Sequence, residues 1–192
     1  EKQGHFPSYI YRGYKTDIYE GGHRIPLIVS WKGKFSNETN NSLVSLTDFY
    51  APFAQMVNHK LKNEEAVDSY SIWPILSKQG ASNRKDLVYE SGKGYLSLRT
   101  PQLKLVFNGG SGGWGYPNKP ADLAQLPPMQ LFNLKEDPSE KENIIHDKCY
   151  EQEVKEMTQL IRKYVKEGRS TPGAEVANDT ENDWKQVNIF MQ

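Results

Sequence analysis

The sequence has a single cysteine, Cys149, in 192 residues. One thiol excludes an internal disulfide framework and leaves the compartment open. No apolar run approaches the roughly 18 to 20 residues that a bilayer span needs. Neither sign of charge is in excess, with 24 Lys and Arg against 24 Asp and Glu, so there is no bulk electrostatic case for nucleic acid. There is no initiator methionine and no signal peptide at Glu1-Lys2-Gln3-Gly4-His5. That opening has no capping or strand-starting pattern, and the expectation is a C-terminal fragment of a longer protein. The remaining composition, 36% hydrophobic and 25% charged, suits one globular domain, or one with an extension.

The richest stretch is Tyr14-Lys15-Thr16-Asp17-Ile18-Tyr19-Glu20-Gly21-Gly22-His23-Arg24-Ile25-Pro26. It crowds polar residues against the apolar run that follows. Pro26 to Trp31 is short, continuous and rich in branched residues, which predicts a buried strand. Polar residues at one end of such a strand form what the lip of an active site looks like. The Gly-Gly pair predicts a sharp turn or a positive φ. Two readings of the charges stand. Glu20 and Arg24 pair locally while Lys15 is solvated, as most charge clusters are; or Lys15 is aimed at an anion, since its compact ammonium suits a sulfate or phosphate oxygen.

The spacing Gly13-Tyr14-Lys15, Tyr19-Glu20-Gly21-Gly22, Arg24-Ile25-Pro26, closed by Trp31-Lys32-Gly33-Lys34, resembles the late active-site segment of the type I, formylglycine-dependent sulfatases. Lys32 stands where that family usually has Pro. The resemblance runs on through Val67-Asp68-Ser69-Tyr70-Ser71 and Trp73-Pro74-Ile75-Leu76, with Ser69 for the usual Gly. It includes Leu103-Lys104-Leu105, with Leu103 for Trp, and a bacterial-type loop at Gly110-Ser111-Gly112-Gly113-Trp114. It also includes Leu131-Phe132-Asn133-Leu134 with Glu136-Asp137-Pro138-Ser139-Glu140 and Asn143, so it covers about Arg12 to Ser170.

Residues 1 to 13 read as a loop whose aromatics, Phe6, Tyr9 and Tyr11, pack over the domain or over a sugar. Ser36 to Ser45 is a polar surface loop. Sequons occur at Asn37-Glu38-Thr39, Asn40-Asn41-Ser42 and Asn178-Asp179-Thr180, a weak pattern. Leu46, Phe49, Tyr50, Phe53, Ala54 and Val57 recur at helical spacing, with Ser45 or Asp48 as cap and the regular helix starting close to Pro52. Short strands are expected at 87–89, 95–99, 103–107 and 130–134, as an antiparallel meander. The long connection between the last two is of a kind that is often functional. Asp137-Pro138 with Glu140 suits a helix start and a structural role. Val154, Met157, Leu160, Ile161, Tyr164 and Val165 mark an amphipathic helix stopped at Gly168. Its apolar stripe should cover one sheet face. Trp184, Val187, Ile189 and Phe190 tie a polar tail back to the core.

The resemblance implies an α/β chain, the C-terminal part of an alkaline-phosphatase-like sulfatase fold, with a small four-stranded antiparallel sheet packed on a C-terminal helix. Residues 1–80 would end the large domain, 81–170 form a small subdomain, and 171–192 a tail. It implies hydrolysis of sulfate esters, of a sulfated carbohydrate or an aryl sulfate, using calcium and a formylglycine nucleophile. Neither a (C/S)-x-P-x-R motif nor Asp-Asn-Gly occurs here, so nucleophile and metal ligands are expected in the remainder of the sulfatase chain, and no metal ligand in this one. Lys15 carries over as the catalytic residue, binding a sulfate oxygen and steadying the leaving oxygen. His5, in a segment similar to the family's G-H-x-P-S, and His23 are candidate substrate-binding residues; Glu20 and Arg24 hold the loop. A periplasmic or secreted location follows from the resemblance alone. A phosphodiesterase or phosphonate hydrolase of the same superfamily, and a non-catalytic carbohydrate-binding module built on Trp114 and Tyr116, are the alternatives.

Overall fold

A computed structural model describes residues 4–35, 37–178 and 184–191. The sequon at Asn178-Asp179-Thr180 lies partly outside the described residues. They divide into two compact units: 4–25, 88–161 and 184–191 in the first, 26–35, 37–87 and 162–178 in the second.

The first unit is built on a sheet. Strands β1 (Leu87–Glu90), β2 (Leu96–Arg99), β3 (Leu103–Val106) and β4 (Gln130–Asn133) lie in the order β1-β2-β3-β4, the expected antiparallel meander. Register puts Arg99 opposite Lys104 and Lys104 opposite Phe132, while Ser97, Val106 and Gln130 form the next rung. Directly paired residues share a face, so these six side chains point one way. The rung between them, Leu98-Leu105-Leu131, points the other way and is wholly buried. Both faces of β3 are therefore dry, and even Lys104 is fully buried. Ile18 and Tyr19 join Val106, Phe132 and Leu134 in the core on the mixed face, with Tyr89 packed alongside.

A short helical turn, α4 (Pro120–Leu123), lies in the connection from β3 to β4; the helix α5 spans Glu151–Glu167, after a single 3-10 turn at Lys148–Tyr150 capped by Asp147, and its last turns belong to the second unit. It buries Met157 and Ile161, and Gly168 ends it at φ 64°. The segment after Pro138 is not the helix expected. Asp137 accepts the amides of Lys141 and Glu142, and Glu140 sits at φ 52° and is fully buried. A carboxylate drawn into the interior by Lys104 cannot also serve the exposed first turn of a helix. The tail does return to the core, as α6 (Asn188–Met191) with Phe190 against Phe107 at 4.5 Å.

In the second unit, Ser45 and Asp48 form a capping box for a 3-10 turn at Leu46–Phe49, which leads into α2 (Tyr50–Met56). Pro52 falls in the first turn, where no N–H is needed. Asp48 is fully buried and accepts both Nε and Nη2 of Arg84, at 2.8 and 2.6 Å, and the Tyr70 amide. The expected short helix is α3 (Trp73–Leu76). Trp73 packs edge-on with Trp31 and Phe35, and Gly33, at φ 76°, supplies the turn inside Trp31-Lys32-Gly33-Lys34. Pro26 to Trp31 is not a buried strand. The run has no sheet partner among the described residues, and Leu27 and Ile28 are 43% and 90% exposed. A continuous apolar run becomes a strand only where neighbours supply its hydrogen bonds.

Candidate functional site

The lysine turn is held by three neighbours. Asp17 is fully buried, and its carboxylate accepts the amides of Tyr14 and Gly115. Thr16 sits at φ 80°. Its carbonyl accepts the Gly92 amide, and its hydroxyl accepts the amide of Trp114 at 3.2 Å. The Ile18 amide donates to the Ser111 carbonyl. The backbone on both sides of Lys15 is thus fixed by the 91–94 turn and by the glycine-rich loop at 109–117. Gly113 and Gly115 are required there, because a Cβ on either would strike Thr16 or Asp17. Lys15 itself is exposed and makes no hydrogen bond or ion pair among the described residues.

Of the two expectations for the Gly-Gly pair, the sharp turn is what the structure shows. Gly21 and Gly22 lie in a short helical turn, α1 (Glu20–His23), without positive φ. They are needed because a Cβ would collide with the carbonyls of Arg12 and Gly13 at the first, and of Tyr14 and Asp17 at the second.

Beneath this turn lies a buried ion cluster. Lys104 Nζ is 3.2 Å from Glu20 and 2.9 Å from Glu140; Arg99 adds a 3.3 Å contact to Glu20. The Glu20 amide donates to the Glu140 carboxylate, and Arg12 Nη1 donates to the Glu140 carbonyl while lying over the Tyr19 ring. Burial alone would push the Glu20 carboxyl up, but Lys104 and Arg99 outweigh it and hold Glu20 below the usual range. Glu140 answers to a single cation, and burial prevails there and pushes it up. Arg24, half exposed and 3.9 Å from Glu20, stacks instead over Tyr11.

The three sequence candidates stand in different settings. Lys15 and His5 are exposed. His23 is partly buried and stacked on Tyr89, with ring centroids 4.6 Å apart. Burial, then Lys104, pushes its imidazole down to about 4, against Glu20 and the Asp17 backbone. It is neutral at pH 7, and its Nε2 is buried with no partner among the described residues. The structure does not bring His5 and His23 together through any hydrogen bond or ring contact. Sequence reasoning missed Lys104, Arg99 and Gln130, which position the segment from the sheet. The one available signal was Lys104, a lone charge between two leucines in a strand. Among the described residues, no three His, Cys, Asp or Glu side chains could hold a metal ion. The calcium site implied by the resemblance is therefore not formed by these residues.

No protein-family model matches the chain. It is 31% identical over 158 residues to the N-acetylgalactosamine-6-O-sulfatase of Bacteroides thetaiotaomicron, covering 82% of this chain and 30% of that protein. It is 28% identical over 142 residues to human arylsulfatase A, covering 68% of this chain and 28% of that protein. A solved structure titled for the metabolism of multiple glycosaminoglycans by Bacteroides thetaiotaomicron superposes with a TM-score of 0.70 at 29% identity, over 84% of this chain and 33% of that one. The chain spans less than a third of the length of these curated relatives. With 31% identity over 82% of its residues and a shared fold over 84% of them, the chain belongs with the sulfatases.

Proposed function

We propose that the chain is the C-terminal portion of a bacterial-type sulfatase that removes sulfate from a glycan, and that Lys15 is its catalytic contribution. The observation that supports this is the lysine turn. An exposed ammonium with no partner among the described residues is mounted on a backbone fixed by Asp17, Gly92, Ser111 and Trp114. A charge presented this way costs little reorganisation when it meets an anion. Lys15 would bind a sulfate oxygen and stabilise the negative charge that grows on the bridging oxygen as the S–O bond breaks. His5 and His23 are the further substrate-binding candidates, His23 through its unpartnered Nε2. Calcium and the formylglycine nucleophile would be held by residues outside this chain.

Residues 1–80 would complete the large domain of such a protein, 81–170 form its smaller subdomain, and 171–192 a tail. The exposed Leu27 and Ile28, with Tyr50, Phe53 and Val57 around α2, would be covered by the rest of the protein. An exported location, periplasmic or secreted, goes with this reading; among the described residues, no helix is long and apolar enough to cross a membrane.

The test is sulfate release from N-acetylgalactosamine 6-sulfate and from an aryl sulfate by the whole protein with calcium, beside its Lys15→Ala variant. The expected result is turnover that falls by orders of magnitude in a variant with unchanged melting temperature. Turnover of an aryl phosphate in place of sulfate would move the protein to the phosphodiesterases. Equal rates in wild type and variant would remove Lys15 from the chemistry.

A further inference from the structure

The glycine-rich loop does more than clamp Lys15. Between Ser111 and Pro117 burial alternates: Gly113, Gly115 and Pro117 are buried, while Trp114 and Tyr116 are 64% and 76% exposed. The backbone under these two rings is well fixed. Ser111 Oγ bridges the Gly113 amide and the Gly115 carbonyl, the Trp114 amide is held by Thr16, and Asn118 Nδ2 donates to the Trp114 carbonyl. Gln130, on the sheet, donates to the carbonyls of Asn108 and Gly110. An exposed indole on a pinned loop contributes little to the core of this unit and is presented in a fixed orientation.

The surrounding chemistry selects the occupant. Trp114 is bonded through its amide to the residue next to Lys15, and the exposed Lys93 donates its amide to the Gly112 carbonyl. The loop that carries Trp114 is thus bonded to both segments that carry these lysines, and the Lys93 ammonium donates to the carbonyl of Asn118 on the same loop. The face of an aromatic ring is electron-rich, and it pairs with the weakly positive C–H face of a pyranose; the lysines match anionic substituents. The geometry points to Trp114 as the stacking platform for a pyranose ring of a sulfated sugar, seated so that its sulfate meets Lys15. This rests on the sulfatase reading above for the role of Lys15, and it adds the residue that selects a sugar.

The experiment measures sulfate release from N-acetylgalactosamine 6-sulfate by the whole protein, its Trp114→Ala and Trp114→Phe variants, and binding of the same sugar by calorimetry. The expected result is a KM raised roughly tenfold in the alanine variant, with kcat within about twofold of wild type, and recovery of most of the loss in the phenylalanine variant. An unchanged KM and unchanged binding in Trp114→Ala would overturn the platform. If the wild type releases no sulfate, the sulfatase reading falls by itself, and calorimetry decides the platform separately. Sugar binding that is lost in Trp114→Ala keeps it, and no sugar binding by the wild type overturns it as well.

Discussion

The sulfatase-like motif has two halves with opposite fates. Residues 14–24 contain four charged side chains, yet Asp17, Ile18, Tyr19 and Glu20 are buried. Residues 25–31 contain the apolar run, yet Ile25, Leu27, Ile28 and Trp31 are exposed. Polarity predicts the reverse. The first half is satisfied by this chain: the sheet offers Lys104 and Arg99, and the loops offer amides. The second half needs a sheet neighbour, and among the described residues it has none. Burial follows the availability of partners, and hydrophobicity alone does not confer it.

The contrast breaks most sharply at Lys104. Lys104→Met should leave Glu20 and Glu140 close together and short of countercharge, and cost roughly 3 to 5 kcal/mol of stability by urea denaturation. A neutral result would mean that the cluster is not closed to water. Next comes pH. In the folded state His23 is held at about 4 against an ordinary 6.5, so below pH 6.5 the unfolded chain takes up a proton that the fold refuses. Stability present above 6.5 should be lost as pH falls toward 4, by on the order of 2 to 3 kcal/mol. His23→Phe keeps the stack on Tyr89 and should remove that slope. Asp17, Glu20 and Lys104 surround this position, and Glu140 meets the same Lys104. Glu140, with its raised value, opposes the trend, so the difference between variant and wild type is the quantity to read.

Gly113→Ala should cost about 1 to 3 kcal/mol through overpacking against the Thr16 carbonyl and Asp17, and lower turnover of the whole protein as the lysine turn shifts. Smallest is the exposed half. Ile28→Ser in this chain alone should change stability by less than about 0.5 kcal/mol; a loss matching that of Lys104→Met would show the run to be covered after all.

Much of the fold was legible because it is local. The meander announced itself through short branched strands with turns at Ser91-Gly92 and Thr100-Pro101, and α5 through the 3.6-residue recurrence from Val154 to Val165. Two readings failed where the deciding partner lies far along the chain or outside the described residues. Pro26 to Trp31 looked like a strand because the sequence displays branching and not neighbours. Pro138 and Glu140 fit a helix start until Lys104, thirty-six residues away from Glu140, takes the carboxylate inward. Gly21 and Gly22 were legible as a sharp turn, which they form, while the carbonyls they make room for were not. Of the candidate site, the Lys15 segment was visible as a motif. The sheet residues that support it were not, since the alternation Leu103-Lys104-Leu105 reads as one wet face, whereas both faces of β3 are dry.

Thr16 has one more consequence. A β-branched residue at φ 80° is strained, by on the order of 1 to 3 kcal/mol, and here its hydroxyl fixes Trp114. A laboratory population selected only for heat resistance should accumulate Thr16→Gly or Thr16→Asn and drift away from the proposed sulfate-ester hydrolysis. Selected for turnover, it should keep threonine and seek its thermal tolerance elsewhere. The same three heavy atoms would thus decide which of the two histories a lineage had followed.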